Sequence, residues 1–125
     1  MGAIVAFIAP REGASDVFQE NVNILVQDLS AQPMTLDEYT QLSVSQIGQV
    51  ITDSNILDSS AVTLAGIPGH RVVYTGKQGQ YDLKWMQVWT MQNNKAYVIS
   101  YTAETGKYST FLGTVQEMID SFEIT

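Results

Sequence analysis

Hydrophobic and polar positions repeat with two different periods along this chain, and each change of period marks an element. Residues 3 to 9 form a short apolar run with the character of a buried strand, stopped by Pro10. The segment Arg11-Glu12-Gly13-Ala14-Ser15-Asp16 then reads as a polar loop. From Asn21 to Asp28 the period is two: Val22, Ile24 and Val26 fall on one face of a strand, Asn23, Leu25 and Gln27 on the other. Pro33 closes that region. Thr35-Leu36-Asp37-Glu38 has the form of a capping box, in which the threonine oxygen accepts from the Glu38 amide and the Glu38 carboxylate reaches back to the Thr35 amide. The helix it starts carries Leu36, Tyr39, Leu42, Ile47, Val50 and Ile51 as the predicted apolar stripe.

Beyond Asp53-Ser54-Asn55 the period returns to two. Strands are predicted at about 56 to 64, 70 to 76, 81 to 91 and 96 to 102. The linkers between them are Gly66-Ile67-Pro68-Gly69, Gly76-Lys77-Gln78-Gly79 and Gln92-Asn93-Asn94-Lys95, short enough for an antiparallel meander. In the third of these strands Tyr81, Leu83, Trp85, Trp89 and Met91 share one face, while Met86 and Val88 lie on the other. The next strand puts Tyr97, Ile99 and Tyr101 opposite Ala96 and Val98. A sheet apolar on both faces requires cover on both. The second predicted helix, about 109 to 120, supplies Phe111, Val115, Met118 and Ile119, with Phe122 and Ile124 following and Gly113 weakening it. The expected fold class is therefore α+β, an antiparallel β-sheet sandwiched by helices, in one domain spanning residues 1 to 125.

Composition narrows the function. Thirteen acids against six bases give a net charge of −7. The cations Arg11, Arg71, Lys77, Lys84, Lys95 and Lys107 are scattered, which disfavours nucleic acid and anionic lipid as partners. There is no cysteine, hence no disulfide, thiolate nucleophile or zinc-thiolate site, and the single histidine excludes a multi-histidine centre. The longest apolar run is too short for direct membrane insertion and lacks the basic flank of a signal peptide. Charged residues make up 15 %, against about 25 % in ordinary soluble domains, and Ser, Thr, Asn and Gln supply the polarity. That balance suits an extracytoplasmic module. Met1-Gly2 directly before a strand reads as a start added to a domain trimmed at its N-terminus.

Candidate chemistry is sparse. His70 and Arg71 form the only adjacent basic pair. His70 has the titration range of a general base, but no nucleophile elbow accompanies it, so the plainer reading is a strand-start residue holding a turn carbonyl. Asp16 and Glu20 offer hard oxygens to a divalent metal, without the spacing of a calcium loop. A solvated or backbone-capping acidic loop is the alternative. Gly76-Lys77-Gln78-Gly79 is not a phosphate loop, because it joins two strands and lacks the required glycine and lysine spacing. Trp85, Trp89 and Tyr81 form either an exposed interaction row or ground for a helix to pack on.

Six segments in order resemble a known family. These are Phe7-Ile8-Ala9-Pro10, Asp16-Val17-Phe18-Gln19-Glu20-Asn21-Val22-Asn23, Thr35-Leu36-Asp37-Glu38-Tyr39, Leu64-Ala65-Gly66-Ile67-Pro68-Gly69, Ala96-Tyr97-Val98-Ile99-Ser100-Tyr101 and Met118-Ile119-Asp120-Ser121-Phe122. Together they resemble the PsbP-like domains of the PsbP/Mog-like superfamily, in particular those of prokaryotic surface or lipoprotein-type chains. The resemblance implies the same helix-covered antiparallel sheet and an accessory or binding role without a common enzymatic activity. Relatives support the oxygen-evolving side of photosystem II, and the Mog branch binds the small GTPase Ran. The photosynthetic role does not carry over, since the basic N-terminal extension has no counterpart here and no residue set marks a manganese or calcium site. Relatives also begin with a further strand before the segment matching Phe7; its absence leaves a sheet edge open to a second copy. The expectation is a non-catalytic module without a cofactor, binding an unidentified protein through His70, Arg71, Tyr81, Trp85 and Trp89 or through a homodimeric edge. The alternative is a small-molecule or divalent-metal domain using the acidic 12 to 20 loop or the Trp85 and Trp89 face.

Overall fold

A computed structural model describes residues 3–8 and 20–124. The elements follow in the order β1 (Ala3–Ile8), β2 (Asn21–Asp28), α1 (Leu36–Val50), β3 (Thr52–Leu64), β4 (Ile67–Gln78), β5 (Tyr81–Gln92), β6 (Lys95–Glu104) and α2 (Tyr108–Asp120), with a 3-10 turn at Thr105–Lys107. All six strands join one antiparallel sheet ordered β1-β2-β6-β5-β4-β3. The predicted meander is present, and β2 closes onto its last strand. The outermost described strands are β1 and β3.

The strands are longer than the pattern predicts because the turns are tighter. Ala65 and Gly66 (φ 55° and 78°) and Asn93 and Asn94 (φ 54° and 60°) make two-residue hairpin turns with both central residues left-handed. Gly79 (φ 62°) begins the third turn. Ile67, Pro68 and Gly69 therefore belong to β4, not to a linker, as do Gly76, Lys77 and Gln78. Pro68 pairs with Thr63, and its carbonyl accepts from the Thr90 hydroxyl at 2.6 Å. A Cβ on Gly69 would meet the backbone carbonyl of Trp89, so this position needs a residue without a side chain. Two bulges, after Thr52 and at Leu57, interrupt the pairing of β3 with β4.

Each sheet face has its own helix and its own core. On one face Leu83, Trp85 and Trp89 of β5, Val72 and Tyr74 of β4, and Ala96 and Val98 of β6 pack with Tyr39 and Ile47 of α1. On the other, Met86, Val88, Ile99, Tyr101 and Val22 pack with Tyr108, Val115 and Ile119 of α2. The α+β sandwich expected from the alternating pattern is the observed fold.

The capping box is formed: the Glu38 amide donates to Thr35 Oγ1 at 3.1 Å, and the Thr35 amide donates to Glu38 Oε1 at 2.9 Å. Thr35→Ala is expected to cost about 1 kcal/mol, read as a lower urea midpoint at unchanged slope. The stripe of α1 differs from the predicted one, since Leu42 (44 % exposed) and Val50 (75 % exposed) point away from the core. Leu36, Tyr39, Ile47 and Ile51 of that stripe do pack on the core, and Val44 joins them. Among the described residues no helix is long and apolar enough to cross a membrane.

Candidate binding site between the first helix and the sheet

A line of neutral polar side chains crosses the largely apolar face of the sheet beneath α1. Strand register puts Asn23 of β2 opposite Ser100 of β6, and Ser100 opposite Gln87 of β5. Gln87 Nε2 donates to Ser100 Oγ at 3.0 Å, and the Tyr74 hydroxyl donates to Gln87 Oε1 at 3.1 Å. On the helix side the Tyr39 hydroxyl donates to Gln27 Oε1 at 3.3 Å. Burial raises the Tyr74 phenol to about 12. It raises that of Tyr39 as well, opposed by a hydrogen bond with Ser43. Both rings stay neutral across the physiological range.

Gln27, Tyr39, Tyr74, Gln87 and Ser100 line a groove of about 330 Å³ between α1 and the sheet. Leu25, Ile47, Val50 and Val98 form apolar stretches of its wall, and Ser43 and Gln46 add polar groups from the helix. No charged side chain lines it, although the chain carries nineteen. The floor is rigid. Tyr74 stacks on Trp85, its cross-strand partner, at 5.0 Å between centroids and 16° between planes. Trp89 stands edge-on to Tyr39 at 6.0 Å and donates its indole N–H to Thr40 of α1 at 3.0 Å.

The residues singled out in the sequence are dispersed. Trp85 and Trp89 are buried beneath α1, and Tyr81 is half-buried beside them. They form helix-packing ground, so the expectation of an exposed interaction row is corrected. Neighbours in a strand point to opposite faces, and this separates His70 from Arg71. Arg71 pairs with Asp58 at 3.0 Å on the α2 side. His70 lies within β4 rather than at a turn, stacks on Trp89 at 5.8 Å, and has Nε2 2.7 Å from Ser59 Oγ. It holds a hydroxyl, not the turn carbonyl expected of it. Imidazole and hydroxyl thus meet, but among the described residues no carboxylate hydrogen-bonds the ring, and the charge-stabilising member of a triad is missing.

Asp16 lies outside the described residues. Glu20 is buried; its Oε2 accepts from the Glu104 amide at 3.3 Å, and its Oε1 has no hydrogen-bond partner among the described residues. Among the described residues no three His, Asp or Glu side chains gather to hold a metal ion. Gln87, Ser100 and Ser59 were not singled out by sequence reasoning. Gln87 had a visible signal, being the one amide in the otherwise largely apolar odd positions from 81 to 91.

No family model matches the chain, and no curated protein matches it in sequence. Solved structures do. A Pseudomonas aeruginosa protein of unknown function, PA94, superposes with a TM-score of 0.84 at 12 % identity, covering 97 % of this chain and 82 % of that one. The cyanobacterial PsbP of Synechocystis, CyanoP, gives 0.62 at 14 % identity, over 96 % and 82 %. LpqN of Mycobacterium tuberculosis, a protein involved in cell envelope biogenesis, gives 0.66 at 11 %, over 96 % and 78 %.

Proposed function

Starting from the PsbP-like fold that these structures share with the chain, we propose that it is a non-catalytic accessory module that acts outside the cytoplasm by contacting another protein. The observation that carries this reading is the placement of its exposed large hydrophobic residues. Among the described residues these are Leu42, Val50, Ile56 and Leu57, on α1 and the first half of β3, two elements that touch. Ile56 and Leu57 lie on β3 itself, whose outer side has no neighbouring strand among the described residues. Apolar side chains beside an open edge favour a partner that adds a strand and covers them. LpqN's involvement in cell envelope biogenesis supports the extracytoplasmic placement, as does the low charge content.

The test is capture of partners from the native envelope with the wild-type domain and with Leu57→Asp, which places a charge on the bulge without disturbing the core. A protein enriched by the wild type and lost with Leu57→Asp supports the reading. Enrichment no greater than that of an unrelated acidic control overturns it. Sedimentation of the isolated chain reports whether a second copy occupies the edge. The non-catalytic part is tested on ester substrates: wild type and His70→Ala are expected to show the same background rate, and a rate that falls with His70→Ala contradicts it.

A further inference from the structure

The polar line beneath α1 presents a physical problem that the protein-contact reading leaves untouched. Gln87 and Ser100 sit half-buried at the centre of a sheet face that otherwise packs apolar side chains against a helix. Burying an amide there is less favourable than burying a leucine, unless its hydrogen-bonding capacity is used. It is used only in part. A glutamine side chain has two N–H donors and two lone pairs on its oxygen. The bonds to Ser100 and Tyr74 occupy one of each. The Ser100 hydroxyl accepts from Gln87 and keeps its own proton to donate. One donor from the amide, one donor from the hydroxyl and one acceptor therefore converge on a groove of about 330 Å³, at the small end of the range for ligand pockets.

The wall chemistry selects the ligand's charge. No carboxylate, ammonium, guanidinium or imidazole lines the groove, so a charged ligand would lose water without meeting an opposite charge. A neutral head group carrying both a donor and an acceptor matches the amide and hydroxyl. The apolar surfaces of Leu25, Ile47, Val50 and Val98 match an alkyl chain. We infer that this groove binds a small neutral amphiphile, with an uncharged hydrogen-bonding head on Gln87 and Ser100 and an alkyl tail along α1. The inference goes beyond the protein-contact reading and does not depend on it.

A series of equal length and different charge tests it: hexanamide, hexanoate and hexylammonium, each titrated into the full chain at neutral pH and followed by amide and indole resonances. Hexanamide is expected to bind saturably, shifting the Gln87 side-chain and Trp89 indole signals, and to bind at least tenfold more tightly than either ion. Gln87→Leu should abolish that preference by weakening hexanamide alone. Val50→Asp, at an exposed site that does not threaten folding, should raise hexylammonium above hexanoate. The inference is overturned by equal affinity for the three probes, by no saturable binding of hexanamide, or by hexanamide affinity unchanged in Gln87→Leu. It is also overturned if Val50→Asp leaves the ratio of hexylammonium to hexanoate affinity as it was. Loss of the β3 contact in Leu57→Asp leaves these titrations unaffected, so the two readings fail separately.

Discussion

Trp89→Ala is expected to remove about 3–5 kcal/mol of stability, from a total of about 5–15 kcal/mol for a chain of this kind. Three effects combine in that number. The indole is 1 % exposed, so its removal opens a cavity between α1 and the sheet. Thr40 loses the N–H that binds it at 3.0 Å. The edge contact with Tyr39 and the stacked contact with His70 both disappear. Trp89→Phe separates the terms, because it keeps most of the volume and forfeits the hydrogen bond, at a cost of about 1–2 kcal/mol. Urea unfolding of both variants is the measurement. A drop below about 1 kcal/mol for the alanine variant would show that α1 is held by other contacts.

The second large effect is alkaline unfolding. Burial raises the phenol of Tyr74 to about 12, and those of Tyr39, Tyr101 and Tyr108 also lie above the ordinary value. At Tyr101 the nearby Tyr108 and Glu20 push in the same direction as burial, while at Tyr108 the Arg71 charge opposes it. Below about pH 9 each of these rings is essentially neutral in both folded and unfolded chains, and stability does not respond. Above it the unfolded chain gives up phenolic protons that the folded chain retains, so unfolding is favoured. Each such tyrosine removes up to about 1.4 kcal/mol per pH unit, in the case of Tyr74 until the pH reaches its folded value of about 12. The urea midpoint should hold steady to about pH 9 and fall steeply beyond about pH 10, with phenolate absorbance rising as the chain unfolds. Tyr74→Phe should make the fall shallower. A midpoint constant to pH 12 would contradict the burial of these rings.

Local signals in the sequence proved dependable where they were chemically complete. Thr35 and Glu38 define a helix start with two reciprocal hydrogen bonds, and both form. Alternation through 81 to 91 and 96 to 101 assigns side chains to faces, and those faces are the two cores. Less legible was anything set by strand register. Ser59 and His70 are eleven positions apart and meet only because an Ala65-Gly66 turn pairs Ala61 with His70. Farther along, the bulge at Leu57 shifts the register by one residue, so that Ile56 faces Tyr74, which no periodicity announces. Pro68 reads as a breaker, yet it stands beside the turn, one residue before the pairing of β4 with β5 begins at Gly69, where a missing N–H is tolerated. Leu42 fits a loose stripe of three-to-five spacing, but a helix turned to bring Thr40 to Trp89 leaves it outside. The site was half visible: the aromatic floor could be read, while Gln87 and Ser100 acquire meaning only when two strands lie side by side.

The position of β2 carries a consequence for how the molecule comes into being. Val22 lies beside Tyr101, so the pairing of β2 with β6 joins a segment to one made 79 residues later. The hairpins from Thr52 to Glu104 close over short loops and can form as they emerge. The first two strands must wait, with the alternating apolar row of Val22, Ile24 and Val26 unsheltered until β6 is translated. A nascent chain halted after Gln92 would display that row to chaperones and to its neighbours on the polysome.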